Sequence, residues 1–228
     1  MLGKLKNSLL EIIFPVRCTG CGAEGEWFCE SCTQKIVPNA KQFCPVCWRE
    51  NFGGKVCVRC SSSLDGLRVA ASYQKNPELA RAIATLKYKF SENLAQNLGA
   101  ILARSVVQKN YFGERVIVPI PLHKKRLRWR GFNQAELLAR SAAQKLDLPL
   151  QDLLLRTKNT AQQAKLSRAE RLRNLENAFV LKSDFSVRDK TILLVDDVAS
   201  TATTLLEAAK VLKKAGAREV WGLVLARG

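Results

Sequence analysis

The sequence predicts an α/β protein, a mostly parallel sheet with flanking helices, preceded by a small cysteine-rich module. Three observations carry this. All 8 cysteines of the 228-residue chain fall between Cys18 and Cys60, in C-x-x-C pairs. Behind them, short apolar runs alternate with segments whose apolar residues recur at three- and four-residue spacing, as strands alternating with amphipathic helices do. One such run, Ile192 to Val195, delivers Asp196 and Asp197 to a turn rich in hydroxyls.

Taken in order, residues 1–16 read as an N-terminal amphipathic helix. Leu2, Leu5, Leu9, Leu10, Ile12 and Ile13 are interrupted by Lys4, Lys6 and Glu11, and the periodic part stops before Pro15. No cleavage-site pattern follows, and no run approaches the ~18 apolar residues that would span a bilayer. The expectation is a cytoplasmic protein. Peripheral membrane association through this helix stays open, and packing against the protein's own body is the preferred use.

Residues 17–63 form the cysteine module, with the pairs Cys18/Cys21, Cys29/Cys32, Cys44/Cys47 and Cys57/Cys60. A two-residue separation lets both thiolates of a tight turn face one ion, and two such turns complete a tetrahedral zinc site. In a reducing compartment clustered pairs point to metal rather than disulfides. A redox C-x-x-C would open a helix in a βαβ unit, which is missing here. Sequential pairing gives one ion to Cys18, Cys21, Cys29 and Cys32 and a second to Cys44, Cys47, Cys57 and Cys60. Interleaved pairing is the alternative, which sequence alone does not exclude. The zinc is expected to be structural, because so short a segment buries little apolar surface.

Residues 64–228 follow the hinge Ser61-Ser62-Ser63 and form the α/β domain. The periodicity predicts strands over Leu67–Tyr73, Val116–Ile120, Thr191–Val195 and Glu219–Leu225. It predicts helices over Pro77–Tyr88, Ser91–Val107, Phe132–Leu146 and Thr201–Ala215. Ligands of such sheets bind at the carboxyl ends of strands, which singles out the loops after Val118, Leu154 and Val195.

The loop after Val195 is the sharpest motif. Backbone amides at the helix start bind a phosphate, with Ser200, Thr201, Thr203 and Thr204 adding donors around Ala202. The carboxylates of Asp196 and Asp197 suit the two cis hydroxyls of a ribose, directly or through Mg²⁺. A strand ending in paired acids also opens receiver domains, but only 31 residues follow Asp197. Helix capping needs one hydroxyl rather than four.

Two basic segments complete the set. Residues 121–131 read as a loop holding Lys124, Lys125, Arg126, Arg128 and Arg130 without an acid. Trp129 and Phe132 there could stack on bases of single-stranded nucleic acid, although Phe132 also reads as the first core residue of its helix. Residues 156–174 carry Arg156, Lys158, Lys165, Arg168, Arg171 and Arg173 against Glu170 alone. This reads as a closing loop in preference to an exposed helix. Overall, 37 Lys+Arg stand against 20 Asp+Glu, a net +17 that favours nucleic acid, phosphorylated metabolites or an anionic surface as partner. His123, the single histidine, is assigned no chemistry.

The stretch Ile192 to Thr204 resembles the phosphoribosyl-diphosphate (PRPP) loop of type I phosphoribosyltransferases. Val118-Pro119-Ile120-Pro121-Leu122-His123 with Arg128, Arg130-Gly131-Phe132-Asn133-Gln134, and Arg156 with Thr160, Gln163, Leu166, Arg171, Asn174 and Phe179, narrow it to the ComF family. The cysteine module and Leu86-Lys87-Tyr88 fit as well. The resemblance implies a type I phosphoribosyltransferase-like fold and PRPP bound with Mg²⁺. It makes Asp196 and Asp197 the acids that stabilise the ribose. Ser200, Thr201, Ala202, Thr203 and Thr204 take the 5′-phosphate, and Arg128, Arg130, Gly131, Asn133 and Gln134 serve the pyrophosphate loop. Arg156, Gln163, Arg168 and Arg171 belong to the flexible loop. It also implies handling of single-stranded DNA during natural transformation, with a competence helicase and recombination-mediator proteins as partners. A metabolic phosphoribosyltransferase with an unknown acceptor, and an inactive zinc-ribbon scaffold, are the alternatives. One residue departs from the pattern: Ala202 stands where the loop usually has glycine. Binding then survives if the backbone there is right-handed.

Overall fold

In the computed structural model, residues 15–106, 114–159, 175–182 and 186–227 are described. The expectations for residues 1–14, and for Gln163, Arg168 and Arg171, lie outside them.

The sheet has four parallel strands: β3 (Gly66–Ser72), β4 (Arg115–Pro119), β7 (Thr191–Ala199) and β8 (Glu219–Arg227), ordered β3-β8-β7-β4. The two central strands are apolar on both faces, as strands covered on both sides must be. Alternation sorts their side chains. Leu193, Val195, Trp221 and Leu223 join Ile117 on one face, beneath helices α2 (Pro77–Tyr88), α3 (Glu92–Arg104) and α5 (Gln134–Leu146). Ile192, Leu194, Val220 and Val224 join Val116 and Val118 on the other, beneath α6 (Thr203–Lys214). A short antiparallel pair, β5 (Leu154–Arg156) with β6 (Phe179–Leu181), stands apart from the main sheet and packs on the α6 side.

The helices lie close to where periodicity puts them, with the ends set by caps. Ser91 accepts from Leu94 N–H, so α3 starts at Glu92. Three expectations are corrected. Residues 121–131 are not a loop: Lys124–Arg130 form helix α4, capped by His123, whose Nδ1 accepts from Lys125 N–H, and closed by Gly131 at φ +83°. Lysine and arginine are good helix formers, so a run of them between two caps coils. Accordingly α5 begins at Gln134 rather than Phe132, because Asn133 Oδ1 accepts from Ala135 N–H and acts as its cap. The strand after Lys190 also runs further than its apolar run, to Ala199, since β8 pairs with it along its whole length.

The cysteine module, with helix α1 (Glu30–Lys35) and the short pair β1 (Gln42–Phe43) and β2 (Glu50–Asn51), packs onto the α2 and α3 side. Phe28, fully buried, shares a core cluster with Leu79, Ile83, Leu94 and Leu98. Buried amides bind the module to the sheet edge. Gln42 accepts from Val69 N–H at 3.0 Å and donates to Val69 O at 3.1 Å, giving edge strand β3 the partners a further strand would supply. Asn76 likewise accepts from Val37 N–H at 2.8 Å and donates to Val37 O at 3.1 Å.

Candidate functional site

The cysteines gather into two clusters, Cys18, Cys21, Cys29 and Cys32, and Cys44, Cys47, Cys57 and Cys60. The pairing is therefore sequential. Within each cluster the sulfurs lie within 4.8 Å of one another. The Cys18–Cys29, Cys18–Cys32 and Cys47–Cys57 separations are 3.6, 3.7 and 3.8 Å. A zinc–sulfur bond of about 2.3 Å sets the corners of a tetrahedron about 3.8 Å apart, so the donor sets match that ion. Backbone N–H groups of Gly20 and Cys29 each point at Cys18 Sγ from 3.4 Å, as they would toward a thiolate. Gly20 is required there, since a Cβ would lie 2.6 Å from Cys32 Sγ. Two structural zinc ions fit these sites.

A second centre lies at the carboxyl end of the sheet. A cleft of about 300 Å³ has Asp196, Asp197 and Val198 of β7 on one side. Lys87 and Tyr88 from the end of α2, Arg126, Trp129 and Arg130 of α4, Gln134 of α5 and Arg156 of β5 complete it. Next to it, Asp196 and the segment Val198 to Leu205 line a small hollow of about 20 Å³. The main-chain N–H of Asp197 donates to Asp196 Oδ1 at 2.8 Å, and that of Val198 to Asp197 Oδ1 at 3.0 Å. Lys87 Nζ sits 2.8 Å from Asp197 Oδ2. Arg130 donates through Nη1 to Gln134 Oε1, while its buried Nε has no hydrogen-bond partner among the described residues. Thr201 and Thr203 hydroxyls are 2.8 Å apart at the start of α6.

Residues 133–228 match the family model described as "Phosphoribosyl transferase domain", and residues 9–70 match "Double zinc ribbon domain". The DNA utilization protein YhgH of Escherichia coli K12 is 32% identical over 212 residues, covering 88% of this chain and 92% of that one. Competence protein ComFC of Bacillus subtilis is 31% identical over 199 residues, covering 84% and 80%. The chain belongs to the ComF family. Competence protein F of Haemophilus influenzae is 44% identical over 116 residues, so the match spans 48% of this ComF chain and 50% of that protein.

Electrostatics in the ComF cleft are tightly coupled. Burial first, and then the charge of Asp197, push the Asp196 carboxyl well above the ordinary carboxylate range. Burial pulls the Arg130 and Arg156 guanidinium values down, and Arg126 adds to the fall at each. Burial and then Asp197 raise the Tyr73 hydroxyl. The site thus holds acids and bases away from water, where an incoming anion or cation interacts strongly.

Of the residues singled out from sequence, Arg130, Gln134, Arg156, Asp196, Asp197 and Thr204 line the one cleft. Ser200, Thr201, Ala202 and Thr203 line the adjoining hollow. Gly131 and Asn133 stand behind it, Gly131 closing α4 and Asn133 tying Ile120 O to the start of α5 at 3.0 Å. Arg128 lies in the last turn of α4, outside the lining of both. The right-handed backbone on which binding through Ala202 was conditional is not found: Ala202 sits at φ +55°, ψ 7°, and is buried. That is the left-handed pose for which glycine is the usual residue, so the loop keeps the glycine conformation with alanine bearing the strain, and the condition set on binding was misplaced. Lys87 and Tyr88 received no role from sequence. The signal was their place at the last turn of a helix that meets the sheet at its carboxyl edge, which periodicity alone does not reveal. Among the described residues, no helix is long and apolar enough to cross a membrane.

Proposed function

We propose that this ComF-family protein binds PRPP with Mg²⁺ in the Asp196–Asp197 cleft and acts in DNA uptake or single-stranded DNA processing during natural transformation. The observation that carries the reading is the junction of an acid pair, a small hollow at the start of α6 and three arginines around one 300 Å³ space. In this reading Asp196 and Asp197 take the ribose diol and the metal, which neutralises charge on the diphosphate when bound. Ser200, Thr201, Thr203 and Thr204 and the start of α6 take the 5′-phosphate. Arg130 and Arg156 take the diphosphate, with Gln134 holding Arg130 in place. Residues 156–174, with Arg156, Gln163, Arg168 and Arg171, would serve as the closing loop. The chain would comprise an N-terminal helix (1–16), a zinc-ribbon module (17–63) and a phosphoribosyltransferase-like domain (64–228), working in the cytoplasm.

Support for the DNA part comes from charge and from the rim. The net charge of +17 favours phosphate backbones through counterion release. Tyr88, Phe90 and Trp129 stand 69%, 60% and 70% exposed around the cleft and beside α4, where bases can stack. Relatives named for competence and DNA utilization agree with this role. A helicase and recombination-mediator proteins are the partners such a role would involve.

The test is thermal. PRPP with Mg²⁺ raises the Tm of the parent protein, and Asp197→Asn abolishes the rise; a parent protein that PRPP leaves unmoved overturns the reading. A second reading, phosphoribosyl transfer to a nitrogen acceptor, is favoured by the unpartnered Nε of Arg130, a donor placed for departing pyrophosphate. Release of pyrophosphate from PRPP across a panel of bases decides it.

A further inference from the structure

Each oxygen of Asp197 has a close neighbour, although Oδ2 makes no hydrogen bond among the described residues. Oδ1 accepts from Val198 N–H at 3.0 Å, and Oδ2 meets Lys87 Nζ at 2.8 Å. The side chain is 8% exposed, leaving little room for a third partner. A divalent cation that binds this carboxylate competes with the ammonium of Lys87 for Oδ2. The amide of Val198 belongs to the end of β7, where Val198 is in register with Ala226 of β8, and moving it disturbs that pairing. Lys87 is of another kind. It lies in the last turn of α2, its side chain is 32% exposed, and an ammonium on a four-carbon stem is free to swing.

We propose that Lys87 is the resident counter-ion of the acid pair, and that it leaves Asp197 for the diphosphate when a cation-bearing phosphorylated sugar enters. The inference rests on the proposed PRPP reading and adds to it a moving part. Without ligand, Lys87 offsets the charge that Asp197 would otherwise carry unpaired beneath the cleft. On binding, the metal takes over that duty, and Lys87 turns into the space it already lines with Arg126, Arg130 and Arg156. The same side chain thus opposes a free cation and favours an anion. A lysine with a purely structural role would not move the two affinities in opposite directions.

Calorimetric titration of the full chain with Mg²⁺ alone and with inorganic pyrophosphate alone reads this out. In Lys87→Met, Mg²⁺ binds more tightly by on the order of tenfold, the scale on which a neighbouring opposite charge changes a carboxylate's affinity for a proton. Pyrophosphate binds more weakly by a similar factor, and Lys87→Arg stays closer to the parent in both arms. Mg²⁺ affinity that is unchanged or lower in Lys87→Met, or unaltered pyrophosphate affinity, overturns the proposal. Should Lys87→Met fail to fold, the parent protein with ¹³C-methylated lysines carries the test. Its Lys87 signal, assigned by its absence from Lys87→Arg, shifts when pyrophosphate and Mg²⁺ are added together, and a stationary signal overturns the proposal. Neither arm uses PRPP, so failure of the parent protein to bind PRPP is a separate result.

Discussion

Replacing Ala202 with glycine, and separately with valine, tests the conformation of the phosphate loop. At φ +55° the alanine Cβ crowds the following carbonyl, at a cost of roughly 1–2 kcal/mol that glycine does not bear. Against this, glycine gives the unfolded chain more freedom, worth about 0.4–1 kcal/mol. The alanine methyl is also buried, the residue being 4% exposed, and its loss costs about 0.8 kcal/mol. These terms nearly cancel, so Ala202→Gly is expected to fall within about 1 kcal/mol of the parent. Were the residue right-handed, the first term would vanish and glycine would cost about 1–2 kcal/mol. Valine cannot adopt the left-handed region comfortably and overfills the site, adding about 1–3 kcal/mol. For a chain of this size each kcal/mol moves Tm by about 2–4 °C. Denaturant unfolding of the three proteins gives the free energies directly, and the PRPP-induced rise in Tm for Ala202→Gly should be at least that of the parent. A glycine variant weakened by 2 kcal/mol, or a valine variant equal to the parent, refutes the left-handed assignment and with it the loop geometry.

Further predictions follow from the other parts of the molecule. Metal analysis of protein prepared without added zinc should find two zinc ions per chain. Chelation should unfold the cysteine module and loosen the Phe28 contact with α2 and α3, visible as a fall in Tm and loss of amide protection there. Trp129→Ala should weaken single-stranded DNA binding by about 1–3 kcal/mol. Because Trp129 is 70% exposed, stability should change by no more than about 0.5 kcal/mol. Arg128→Ala should lower the slope of log affinity against log salt by about 0.7, as loss of one phosphate contact requires. Asp196 has a raised value in the folded state, so its contribution to stability is fullest below the ordinary carboxylate value near 4 and is lost as pH rises through the raised one. Asp196→Asn removes that loss. The variant should gain on the ligand-free parent as pH increases toward neutrality, and parallel Tm curves would show that the acid pair is not strained.

Residue types and their spacing determined much of this protein. Four C-x-x-C turns call for zinc because two-residue separation presents both sulfurs to one ion, a local property. The alternating apolar runs locate the sheet strands for the same reason, since side-chain period follows from backbone geometry. Asp196 and Asp197, followed by Ser200 and Thr201, announce a ligand site by being adjacent in the chain. Caps and partners decided the rest. Residues 124–130 coil into α4 because His123 and Gly131 close both ends, and β7 reaches Ala199 because β8 lies beside it. Which cysteine pairs share an ion is likewise set by three-dimensional proximity. Only the tertiary structure brings Lys87, more than a hundred residues from Asp197 in the chain, to within 2.8 Å of it. Sequence carries no record of that separation, because it arises where a helix end meets a strand end across the edge of the sheet. The left-handed backbone at Ala202 belongs to the same class. The chain names the residue, and the packing of β7 and α6 around it sets its angles.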